Sequence, residues 1–130
     1  MDDLKKHLYK RIPFYSTLGL NLKEIGEGKA VFEILVKDEL TQNGYVHGGV
    51  IASLIDSACA CAAISLVYPE GYITTIDLQV EYLKPVAKGI LVGKAKCNKA
   101  GKNIFFCKAK VWNDEGQLIG TGSSQLLRIS

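Results

Sequence analysis

One acidic residue, Asp56, stands inside the longest apolar run of the chain, Gly48 to Val67. A carboxylate in such surroundings costs several kcal/mol unless it is paired, hydrogen-bonded or protonated. Its presence in a central helix therefore points to a working group, a general base or a nucleophile. The residues just before it add a second element. His47-Gly48-Gly49 stands where the helix must begin, and the first N–H groups of a helix have no intrahelical partner and lie at its positive end. Glycine lets a foreign carbonyl approach them, which makes Gly48 and Gly49 a candidate oxyanion hole; a tight entry into the helix would ask for glycine as well. His47 either orders that entry by hydrogen bonding or contacts a substrate.

Spacing then constrains the site. Asp56 follows Gly48 by eight residues, roughly 12 Å along a helix axis. A base and an oxyanion donor must each come within about 3 Å of the reacting group. Asp56 and Gly48 of one chain thus cannot serve one carbonyl. If both act, two chains must be combined, with helices antiparallel across a two-fold axis and two equal sites.

Two threonines, Thr74 and Thr75, open the strand after the helix, and either hydroxyl could hold a water or the carboxylate. Lysines gather later in the chain: Lys94, Lys96, Lys99, Lys102, Lys108 and Lys110. Alternation puts Lys94 with Lys96, and Lys108 with Lys110, on shared strand faces, either solvated or contacting phosphates. Cys59, Cys61, Cys97 and Cys107 form no CxxC pair and have no histidine nearby in sequence, which speaks against zinc and for small buried thiols.

The elements that must position these residues are legible from periodicity. Leu4, Leu8 and Ile12 mark an amphipathic helix over residues 2–11, ended by Pro13. Leu18–Ile25 and Lys29–Val36 read as strands joined by a Gly26-Glu27-Gly28 hairpin. Residues 38–46 read as a polar loop, followed by the apolar helix, which breaks at Pro69-Glu70-Gly71. In 73–83, Ile76, Leu78, Val80 and Tyr82 alternate with Thr75, Asp77, Gln79 and Glu81, a strand of period two. Strands over 90–98, 103–112 and about 117–128 follow, joined by turns at 99–102 and 113–116. The order α-ββ-α-ββββ predicts an α+β fold, with one long helix on one antiparallel sheet of about six strands. Such a unit leaves a sheet edge and a helix end uncovered, which favours a dimer.

The 130 residues predict a single domain over 1–130, and 48% hydrophobic residues suffice for its core. A net charge of +3, from 16 basic and 13 acidic residues, is too small for a nucleic-acid binder, yet suits a ligand bearing phosphates. The N-terminal residues lack the apolar stretch of a signal peptide, so a cytoplasmic location is expected. The apolar helix is of membrane-spanning length, but its Ala and Ser content and Asp56 argue against a membrane role.

The segment Asn43-Gly44-Tyr45-Val46-His47-Gly48-Gly49-Val50-Ile51-Ala52-Ser53-Leu54-Ile55-Asp56-Ser57-Ala58 resembles the hotdog-fold acyl-CoA thioesterases, and most of all the phenylacetate-pathway type. The features that carry it are His-Gly-Gly, an apolar helix and an acid nine residues after the histidine. Pro13-Phe14, Leu18-Gly19, the Asp77 strand and Tyr82-Leu83-Lys84-Pro85 agree, so the resemblance covers nearly the whole chain.

It implies a hotdog fold, with a six-stranded antiparallel sheet wrapped round the long helix, and a homodimer or dimer of dimers with sites at the subunit interface. It implies hydrolysis of an acyl-CoA thioester without metal or other cofactor. Asp56 would be nucleophile or general base, the partner chain's Gly48 N–H would polarise the carbonyl, His47 would order the site, and Thr75 would support the attacking water. Asn43, Gly49 and Thr74 would line the substrate, and Lys84, Lys99 and Lys102 would meet the CoA phosphates. Relatives commonly carry Asn or Gln six residues before the histidine. Here Thr41 stands there, with Gln42 and Asn43 just after it. That departure leaves a non-catalytic acyl-CoA-binding or sensing protein as the alternative, against which Asp56 argues.

Overall fold

Backbone pairing in the computed structural model, which describes residues 2–130, builds a six-stranded sheet around one long helix, with a separate two-stranded sheet beside it. Helix α1 (Asp2–Arg11) has Asp2 and Asp3 in its first turn and Lys10 and Arg11 in its last, each complementing the helix dipole, and buries Leu4 and Leu8. Pro13 does more than end it. It opens a second short helix, α2 (Pro13–Leu18), because a fixed φ and a missing N–H suit the first helical position. Gly19, at φ 84°, terminates α2 in the left-handed region. The first strand, β1 (Asn21–Gly26), accordingly begins three residues later than the pattern from Leu18 predicts.

Strand β2 (Lys29–Val36) returns antiparallel to β1 through a turn with positive φ at Glu27 and Gly28. The predicted polar loop holds structure of its own. A 3-10 turn over Asp38–Leu40 leads into β3 (Thr41–Gln42) and β4 (Tyr45–Val46), a hairpin on Asn43-Gly44. Both turn residues have positive φ, 53° and 84°, as a two-residue type I′ turn requires. The hairpin delivers the chain to α3 (Gly48–Val67), the 20-residue helix of the fold.

The remaining strands are β5 (Ile73–Tyr82), β6 (Gly89–Ala100), β7 (Ile104–Trp112) and β8 (Leu118–Arg128). The six-stranded sheet runs β1-β2-β6-β7-β8-β5, antiparallel throughout, with β1 and β5 at its edges. Its inner face packs on α3 through Phe32, Ile34, Leu91, Phe105, Val111, Ile119 and Leu126, and α3 supplies Leu54, Ile55, Ala58 and Ala62 to the same core. The helix is long and apolar enough to cross a membrane, yet its apolar side chains are mostly buried in this core.

Two glycines let the helix sit low. A methyl group at Gly93 would meet Leu54 Cγ at 2.8 Å, and one at Gly122 would meet Ile55 Cγ2 at 2.7 Å and the Gln79 carbonyl oxygen at 2.8 Å. Gly122→Ala is therefore expected to destabilise the fold by about 1–3 kcal/mol through overpacking against backbone, read as a lower midpoint in urea denaturation.

In β5 the expected alternation breaks. A bulge between Thr75 and Asp77 shifts the phase, so Ile76 is 54% exposed while Ile73 is buried and Leu78 and Val80 pack on the core. The bulge therefore separates the Thr75 end of the strand from the part that obeys simple alternation.

Candidate active site

Helix α3 is less enclosed than its composition predicts. Val50, Ile51, Leu54, Ile55, Ala58 and Cys59 are buried, but Gly49 is exposed and Ala52, Ser53, Asp56 and Ala60 are half-buried. These residues, three and four apart, form one open stripe of small side chains with a single carboxylate in its middle. Asp56 is thus half-buried rather than enclosed, and it has a partner: the Thr75 hydroxyl donates to Asp56 Oδ1 at 2.8 Å. Of the two threonines, the geometry selects Thr75. Thr74, the preceding residue, lies on the opposite face of β5, exposed and away from the carboxylate.

The helix entry is built as a cap. His47 is the N-cap residue, and its Nδ1 accepts the Gly49 N–H at 2.8 Å. An accepting Nδ1 requires the tautomer with its proton on Nε2. His47 therefore orders the helix entry, one of the two roles its position suggests, and Gly49 gives its N–H to the cap. The Gly48 N–H, at the first helical position, has no hydrogen-bonded acceptor among the described residues.

A side chain that the sequence pattern does not mark as functional covers this point. The Tyr82 hydroxyl donates to the Gly48 carbonyl oxygen at 3.1 Å, and a Cβ on Gly48 would lie 3.3 Å from the Tyr82 ring. In the sequence Tyr82 is the last apolar member of an alternating strand and opens the Tyr82-Leu83-Lys84-Pro85 segment, with no site role given to it. The signal that could have found it is its place at the far end of a strand antiparallel to α3, which brings it back to the helix start. Tyr82, with Val46, Ile51, Leu83, Lys84 and Pro85, lines a hollow of about 310 Å³ around Gly48.

Lys84 thus stands beside Gly48, but Lys99 and Lys102 do not. Gly93 of β6 packs near Leu54, and Cys97 lies by Gly28 and Leu66, so the β6–β7 turn is at the C-terminal end of α3. One chain does not bring the three lysines together. Asn43 sits in the type I′ turn, where its positive φ is the evident demand. The Thr41 hydroxyl donates to the Asp38 carbonyl oxygen at 2.6 Å, a local turn bond.

The cysteines are free. Burial, then the Asp56 charge, pushes the Cys59 thiol up to about 12, and burial does the same to Cys61, against the lowering hydrogen bond with Tyr15. Burial also raises Cys107. Because the thiolate is the reactive form, Cys59, Cys61 and Cys107 are expected to resist a maleimide in the native protein, while the half-exposed Cys97 is labelled. Mass spectrometry would then show a single adduct before unfolding and four after. Among the described residues, no group of three or more His, Cys, Asp or Glu side chains could hold a metal ion.

Residues 43–119, which include the helix entry, Asp56 and Thr75, match the family model described as the thioesterase superfamily. The chain is similar to the 1,4-dihydroxy-2-naphthoyl-CoA hydrolase of Listeria monocytogenes, 24% identical over 104 residues that span 79% of this chain and 85% of the relative. Among solved structures it is similar to a thioesterase family protein from Silicibacter pomeroyi, with 27% identity, a TM-score of 0.88 and coverage of 95% of this chain and 94% of the other. In fold it is similar to the PaaI protein of the E. coli phenylacetic acid degradation operon, with 22% identity, a TM-score of 0.89 and coverage of 97% and 91%. With more than half of its length matched by that family and its sheet-wrapped helix shared with both structures, this chain belongs to the thioesterase superfamily and has the hotdog fold.

Proposed function

We propose that the protein hydrolyses the thioester of a small, aryl or medium-chain acyl-CoA, giving the free acid and CoA, at sites shared between two subunits. The observation that carries this reading is the Asp56 carboxylate, held by the Thr75 hydroxyl on the open stripe of α3. A carboxylate at a fixed position can either attack the thioester carbonyl carbon or take a proton from an attacking water. Both routes place negative charge on the carbonyl oxygen, and both expel the CoA thiolate; direct attack leaves a mixed anhydride with Asp56, which water then cleaves to the free acid and the carboxylate. A free backbone N–H at a helix start is suited to that charge.

Distance favours the partner subunit's Gly48 as the source of that N–H, since about 12 Å of helix separates Gly48 from Asp56 within a chain. The open stripe supports such a pairing, because small side chains let a second helix approach closely. So does β5, an edge strand with Ile76 and Tyr82 more than half exposed. Antiparallel helices would also bring Lys84 of one subunit towards the β6–β7 turn of the other, so that Lys84, Lys99 and Lys102 flank one CoA. The unit would be a dimer or a dimer of dimers.

The test is free-thiol release from short, medium, long and aryl acyl-CoAs. Turnover of one class establishes the activity and names the acyl group. Saturable binding of acyl-CoA with no thiol release from any member would make the protein a sensor on the same fold.

A further inference from the structure

The net positive charge of the chain lies on the face of the sheet turned away from α3. Lys29 of β2, Lys94 and Lys96 of β6, and Lys108 and Lys110 of β7 are all exposed there. The strand register sets them directly opposite one another, Lys29 to Lys96, Lys96 to Lys108, and Lys94 to Lys110. They line a groove of about 700 Å³, with Trp112 among its walls and Glu81 as its one acidic residue. Without these six charged side chains the sequence holds eleven basic and twelve acidic residues, so the groove accounts for all of the excess positive charge.

Like charges directly opposite on neighbouring strands destabilise a sheet. Three such pairs side by side are a cost that bound anions would remove. Strands about 4.8 Å apart, with successive same-face residues about 6.8 Å apart, set the ammonium groups at the reach of a chain of two or three phosphates. The aromatic wall adds a second chemistry. Lys94 Nζ lies 5.7 Å from the centroid of the Trp112 ring, so the ring borders the cationic centre and offers a surface for a planar group. The volume is that of a small-molecule site.

We propose that this outer groove binds a nucleoside polyphosphate, with its phosphates among Lys94, Lys96, Lys108 and Lys110 and its base against Trp112. The site is separate from Asp56 and Thr75, which lie on the helix side of the sheet and at its edge, and it stands whether or not the thioester reading does. A second copy of this chain is a poorer occupant, because two faces of five lysines would oppose each other near a two-fold axis.

Trp112 is the single tryptophan of the chain, so its fluorescence reports on this groove alone. The experiment titrates the full chain with ATP, inorganic tripolyphosphate and adenosine at low and moderate salt. ATP is expected to give a saturable change whose midpoint rises with salt. Adenosine should give none, and tripolyphosphate should bind more weakly than ATP. The Lys94→Gln/Lys110→Gln variant should raise the ATP midpoint at least tenfold. It should also keep or raise the Tm, because it relieves a like-charge pair, and so shows that the fold is intact. The absence of a saturable change, or a midpoint unmoved in the variant, would overturn the proposal. Tripolyphosphate binding as tightly as ATP would overturn the part given to the base. A fluorescence change that follows protein concentration without ligand would assign the face to a second copy instead.

Discussion

Asp56→Asn is expected to lower kcat for thioester hydrolysis by about 10²–10⁴-fold while leaving the Tm within a degree or two. The asymmetry follows from what the substitution preserves. Asparagine has the size of aspartate, and its amide oxygen can still accept the Thr75 hydroxyl now bonded to Oδ1 at 2.8 Å. The half-buried position loses a charge that only the chemistry uses. Steady-state kinetics on the best acyl-CoA, with circular dichroism melts of both proteins, would check it; turnover at the wild-type rate would remove Asp56 from the mechanism. Thr75→Val should cost less, about tenfold, because it removes one hydrogen bond to the carboxylate and not the carboxylate itself. Thr75→Ser, which keeps the hydroxyl, should recover most of that loss.

The second large effect concerns the division of one site between two chains. Gly48→Pro deletes the single N–H proposed to bind the oxyanion, at the first helical position, where proline is accepted, and its Cβ would meet the Tyr82 ring at 3.3 Å. Alone it should reduce turnover by about 10²–10³-fold. Mixed with Asp56→Asn through unfolding and refolding together, the two inactive proteins should regain activity. Half of randomly formed dimers pair one variant with the other, and each of those contains one site with both groups intact, so about a quarter of wild-type turnover is expected. Recovery no greater than the sum of the two separate preparations would mean that Asp56 and Gly48 do not meet across a subunit boundary.

The residues proposed to carry the chemistry stand out in the sequence because each is a local anomaly. A lone carboxylate in an apolar helix and a glycine pair at its start need no knowledge of distant contacts. The sheet was legible for a similar reason, since alternation and turn residues mark five of its strands closely. What could not be read depends on tertiary detail. Thr75 rather than Thr74 is chosen by which face of β5 meets the helix, and the bulge that turns Ile76 outward hides that phase from a simple count of alternation. Tyr82 meets Gly48 across 34 residues of chain. Pro13 both stops α1 and starts α2, and Asn43-Gly44, within the polar loop of the sequence pattern, is a strong hairpin signal. The openness of one stripe of α3 is a matter of coverage by neighbours, which periodicity in an almost uniformly apolar helix does not encode.

The glycines beneath α3 bear on how this protein can change. Leu54 and Ile55 key into notches at Gly93 and Gly122, while Ile51 rests over Gly120, 3.3 Å from where a Cβ would stand. A helix indexed in this way cannot slip by one turn, about 5.4 Å, without driving side chains into strand backbone. The position of Asp56 is thus set by residues packed beneath the helix. Residues on the open face of α3 can drift through mutation without displacing that carboxylate, so under the proposed mechanism substrate preference and reaction type are separately heritable in this scaffold.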